Sequence, residues 1–175
     1  GGGRINRKGA TPFLLAADTA DTPYLKLLLS LGADPTLTNA DGITPLMAAA
    51  GLGTRAVEEE AGTEDEAVEA VTYLLSLGAD LNTVSAMGDT AMHGAAFANF
   101  PKVIKLLDAK GAKLDVWNTK NKKNWTPLLI AEGHRYGNFK PGFSTIAAFH
   151  DVLRAHGLTP PPPTPPVPVP GYASP

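Results

Sequence analysis

Gly42-Ile43-Thr44-Pro45-Leu46-Met47-Ala48-Ala49-Ala50 decides how this chain is read, because the phrase comes back. It stands earlier as Gly9-Ala10-Thr11-Pro12-Phe13-Leu14-Leu15-Ala16-Ala17 and later as Gly88-Asp89-Thr90-Ala91-Met92-His93-Gly94-Ala95-Ala96. A worn fourth copy is Asn124-Trp125-Thr126-Pro127-Leu128-Leu129-Ile130-Ala131-Glu132. Each copy is answered by an apolar run closed by a glycine: Gly32, Gly78, Gly111 and Gly157. From opening position to closing glycine the distance is 23 residues in the first and third copies, 36 in the second and 33 in the fourth. The long copies therefore carry insertions near 52–64 and 134–145, in the connection between their two apolar runs.

The spelling of one copy follows from helix chemistry. Thr11, Thr44, Thr90 and Thr126 offer a hydroxyl to the free N–H groups of a helix start. Pro12, Pro45 and Pro127 take the first helical position, where a missing N–H costs nothing; Ala91 replaces the proline in the third copy. The Ala pairs at 16–17, 48–49 and 95–96 allow helices to approach closely. The closing glycines suit the left-handed residue that ends a helix. One such helix pair cannot bury its own apolar face, so the copies must stack.

Turn, Thr-Pro start, small-residue helix, loop, second helix and glycine stop together resemble the ankyrin repeat over about residues 4 to 158. The resemblance implies an all-α solenoid of four stacked helix-turn-helix repeats, about 6–39, 40–84, 85–118 and 119–158. Thr159 to Pro175 follows as a proline-rich tail, which should form polyproline II. The fourth copy, with Gly137-Asn138-Phe139-Lys140-Pro141, also resembles terminal repeats of exported bacterial ankyrin proteins. Its Glu132 and Arg154 break the apolar pattern and suit a C-terminal cap. The first copy is apolar throughout and reads as an internal repeat lacking its neighbour. With the opening Gly1-Gly2-Gly3-Arg4, this suggests the C-terminal part of a longer chain.

Composition excludes much and names little. The 43% hydrophobic content supports a core, and the net charge of −2 supplies no field for nucleic acid. Zero cysteines exclude disulfides and thiolate sites. No apolar stretch is long enough to span a membrane. Compartment is left open.

No catalytic, cofactor or metal constellation stands out. The four histidines lack ligand spacing, and His93 holds the position where the ankyrin phrase places a structural ring bonded to the neighbouring turn. The acidic run Val57 to Glu66 reads as a solvated loop entering a helix near Thr63, or as a patch for a basic partner. Lys120, Lys122 and Lys123 beside Trp117 and Trp125 form a basic-aromatic cluster too small for nucleic acid. Asp108 and Arg154 share one repeat position and are expected to pair across the stack.

Carried onto this chain, the ankyrin binding surface falls on Lys8, Asp18, Asp41, Leu52, Met87, Phe97, Lys122, Lys123, Trp125 and His134. The implied role is a non-enzymatic scaffold for a protein partner. The alternatives are a structural subunit that binds further copies of itself, and a docking domain of a multidomain enzyme.

Overall fold

A computed structural model describes residues 5–54, 57, 62–135 and 140–164. Nine helices lie among them, and no strand. The inner layer is α1 (Pro12–Asp18), α3 (Pro45–Ala49), α5 (Ala91–Ala98) and α8 (Pro127–Ala131). The outer layer is α2 (Thr22–Ser30), α4 (Glu64–Ser76), α6 (Pro101–Ala109) and α9 (Phe143–Ala155). Each helix packs on its own partner and on the equivalent helix of the adjoining repeat. The result is an ankyrin-type all-α solenoid of four repeats.

Helix boundaries fall where local chemistry puts them. The hydroxyls of Thr11, Thr44 and Thr126 accept from the N–H groups of Leu14, Met47 and Leu129 at 3.1, 3.1 and 3.2 Å. Thr63 and Glu66 form a reciprocal capping box at the start of α4. The opening positions Gly9, Gly42 and Gly88 have φ of 75°, 69° and 81°. Asn124 adopts 69° at the fourth, which non-glycine residues rarely do and asparagine tolerates best.

The core is the seam between layers and between repeats. Phe13, Leu25, Leu46, Val71, Leu74, Met92, Ile104, Leu107, Ile130 and Phe149 are essentially inaccessible. A short helix in the connection to the fourth repeat, α7 (Leu114–Trp117), extends it. Trp117 is buried there with its ring 5.8 Å from that of Phe149, so it belongs to the core and leaves the basic-aromatic cluster.

The acidic run lies partly outside the described residues. Its described end is engaged: Glu64 accepts from the backbone N–H of Lys102, and the Lys102 ammonium meets Asp65 at 2.7 Å. The expected Asp108–Arg154 pair does not form. Asp108 meets His156 at 2.7 Å, while Arg154 reaches Asp151 within its own helix at 3.8 Å. Stacked repeats are related nearly by translation, so equivalent side chains point the same way. The residue on α9 that looks back at Asp108 must lie about half a helical turn, two residues, beyond the equivalent one.

The two ends of the stack differ. Leu15 and Tyr24 are 36% and 44% exposed. Their equivalents in the other repeats are buried: Ala48 and Ile130 at 1% for Leu15, and Ala70, Val103 and Phe149 at 0% for Tyr24. A preceding helix pair is what hides these positions in the rest of the stack.

His93 is fully enclosed. Its Nδ1 accepts from the N–H of Thr90 at 3.2 Å and lies 3.0 Å from the Thr90 hydroxyl, which assigns the proton to Nε2. Nε2 makes no hydrogen bond, and the nearby carbonyls of Thr119 and Trp125 favour the charged ring less than burial opposes it. Burial brings its pKa down from 6.5 to about 4. The unfolded chain takes up this proton first as pH falls. The stability tied to neutral His93 is therefore present above pH 6.5 and lost as pH drops to about 4. The loss should be on the order of 2–3 kcal/mol. His93→Gln keeps a capping-box acceptor and should flatten this part of the stability–pH curve, at a cost of about 1 kcal/mol at neutral pH. Urea unfolding between pH 4 and 7 measures both.

Candidate functional site

The projecting turns are organised by three buried polar side chains. Asn39, Ser85 and Asn121 are 5%, 7% and 6% exposed. Asn39 Oδ1 accepts from the N–H groups of Asp41 and Ile43 at 3.0 and 2.9 Å. Ser85 Oγ does the same for Met87 and Asp89 at 3.3 and 3.1 Å, and Asn121 Oδ1 for Lys123 and Trp125 at 2.9 and 3.1 Å. Each turn is thus a small loop wrapped round one acceptor.

Neighbouring turns are joined through their backbones. Ala40 N–H donates to Lys8 O at 2.9 Å, Ala86 to Asp41 O at 2.8 Å and Lys122 to Met87 O at 2.8 Å. Asn39 Nδ2 also donates to Asn6 O at 2.9 Å, and Asn121 Nδ2 to Asp89 Oδ1 at 2.7 Å. Burial holds the Asp89 carboxyl above its ordinary pKa, although the Asn121 amide and Lys123 both pull it down. These bonds fix the spacing of the turn tips along one edge.

The expected binding residues divide on this frame. Lys8, Met87 and Lys122 are exposed at the tips, and Asp41, Lys123 and Trp125 are half-buried there. The Lys123 ammonium sits 5.5 Å from the centre of the Trp125 ring. Asp18, Phe97 and His134 stand at the far ends of the inner helices, half-buried. Leu52 is corrected: it is 6% exposed and packs its backbone against Gly94, where an added Cβ would come 2.7 Å from the Leu52 nitrogen. It is a packing residue.

At those far ends the long connections of the second and fourth repeats flank the short connection of the third. Arg135 spans the gap. Its guanidinium donates to Phe97 O and, at 3.4 Å, to Thr54 O, and lies 5.3 Å from the Phe97 ring centre. A groove of about 840 Å³ runs along these ends, lined by residues that include Leu15, Asp18, Gly51, Thr54, Asn99 and Phe143. Among the described residues no group of three or more histidines and carboxylates could hold a metal ion. No described helix is long and apolar enough to cross a membrane.

Residues 8–40 match the family model of the ankyrin repeat. The chain also matches SH3 and multiple ankyrin repeat domains protein 2 of Homo sapiens, with 28% identity. That match covers 71% of this chain and 8% of the relative, so the chain spans a small fraction of the curated protein it resembles. With the four stacked helix pairs, three of them opening on Thr-Pro, these findings show ankyrin-type repeats in this chain. Ankyrin repeats are as a class modules of protein interaction.

The three turn-holding acceptors were not singled out in the sequence. Asn, Ser and Asn at one repeat position look like ordinary loop polarity, and only their alignment three residues before the opening Gly or Asn carries a signal. Asn39→Ala and Asn121→Ala should each cost about 2–3 kcal/mol, since buried N–H groups lose their acceptor. Asn39→Ser should cost less than half of that, because Ser85 performs the same task. Urea denaturation of the three variants gives the comparison.

Proposed function

We propose that the chain is a non-enzymatic scaffold that seats a protein partner across its turn tips and the open ends of its inner helices. The observation that carries this reading is the backbone ladder Lys8–Ala40, Asp41–Ala86 and Met87–Lys122, which holds chemically different tips in one rigid row. A row held in advance loses little conformational entropy on binding. Met87 is exposed beside Lys122, and together they offer an apolar anchor with a charged rim.

A partner isolated from the source proteome should be retained by the wild-type chain and by a convex-face control, Lys105→Glu. A double variant, Met87→Ala with Lys122→Glu, should weaken it about tenfold or more while leaving thermal stability within about 1 kcal/mol. Equal loss in the convex-face control would place the interface elsewhere and end this reading.

A second reading is favoured by the exposed first-repeat face. Leu15, Tyr24 and Leu27 present apolar side chains that a further helix pair, or another copy of this chain, would cover. Covering a few hundred Å² of such surface is worth several kcal/mol at about 25 cal/mol for each Å². The isolated chain should therefore self-associate in light scattering, and Leu27→Lys with Tyr24→Lys should return it to monomer. A monomer that binds no apolar dye would rule this second reading out.

A further inference from the structure

We propose that the fourth repeat carries a seat for a proline-rich segment, read through the backbone of one non-proline residue, and that the chain's own Thr159–Thr164 fills it in cis. The tail's seat is independent of what binds the turn tips. Residues 160–166 read Pro-Pro-Pro-Pro-Thr-Pro-Pro, so Thr164 supplies the only backbone N–H among them. That N–H donates to Glu132 Oε2 at 3.4 Å. The carbonyl of the same residue accepts from His134 Nε2 at 2.7 Å. Two side chains from the end of one inner helix thus take both backbone groups of the single residue able to offer both.

Glu132 gives the second line of argument. It stands at the repeat position filled by Ala17, Ala50 and Ala96, each 0% exposed. Stacking asks for a methyl group here, yet the fourth repeat places a carboxylate that is 6% exposed and leaves Oε1 without a donor. A buried carboxylate at an alanine position weakens the stack unless something else uses it. The tail N–H is what uses it. The register is set by chemistry as well as by position. A run of prolines offers carbonyls alone, and carbonyls cannot satisfy a carboxylate, so a slip by one residue in either direction leaves Glu132 facing a residue with no N–H.

The experiment keeps the full-length chain and alters only the tail and its seat. In ¹⁵N-labelled wild-type protein the Thr164 amide should exchange with solvent at least tenfold more slowly than in the Glu132→Ala variant. Glu132→Ala restores the residue of the other three repeats, so it should fold and lose no thermal stability. Thr164→Val keeps the N–H and should hold the tail as wild type does. Thr164→Pro removes it and should vacate the seat. A fluorescent peptide spanning Leu158 to Pro170 should then bind the Thr164→Pro chain and neither the wild-type nor the Thr164→Val chain, where the tethered tail outcompetes it. Adding Glu132→Ala to the Thr164→Pro chain should abolish that binding. Equal peptide binding by wild-type and Thr164→Pro chains, or fast Thr164 exchange in the wild type, would overturn the proposal.

Discussion

The close approach of the inner helices is the constraint on which the other features depend. Ala16, Ala17, Ala48, Ala49, Ala95, Ala96 and Ala131 lie in this layer with almost no exposure. A Cβ added to Gly94 would come 2.7 Å from the Leu52 nitrogen and 3.0 Å from the Met47 carbonyl oxygen, so no larger residue fits without moving backbone. Layers this tight leave little room for polar side chains. The chain's polar chemistry is displaced to the two ends of each inner helix, the turn tips and the far connections. That displacement is why the stack presents two rows of varied chemistry.

Much of the architecture was legible because each repeat is punctuated by residues with one physical use. Threonine caps, prolines at the first helical position and left-handed glycines set helix limits that packing did not overrule. The equivalence of Asn124 with three glycines was legible for the same reason, since its place in the phrase demanded a positive φ. What failed was inference about direction. Asp108 and Arg154 share a repeat position, and in a stack built by near translation that makes them point alike rather than at each other. Leu52 and Trp117 were misplaced because an apolar residue in a connection gives no sign of which side of the backbone it takes.

The candidate site was legible in outline and illegible in its supports. The tips could be located by counting along the repeat, yet Asn39, Ser85 and Asn121, which shape them, differ in residue type and sit in segments that look merely hydrophilic. Their burial is a tertiary property. It arises because each turn folds over its own acceptor while donating to the turn before it. The same applies to Arg135, whose carbonyl partners Thr54 and Phe97 belong to two earlier repeats.

The two ends of the solenoid give it a direction. At one end Leu15 and Tyr24 leave exposed the positions that every later repeat buries. At the other, Arg154 on α9 takes the repeat position filled by Leu29 and Leu75 in the first two repeats, and Glu132 closes the inner layer with a polar group. Exposed pairs such as Arg154–Asp151 add little stability. The fourth repeat departs from the alanine rule of the inner helix at Glu132, and it does so at the end of the helix, where a carboxylate can turn toward a backbone N–H instead of a neighbouring helix.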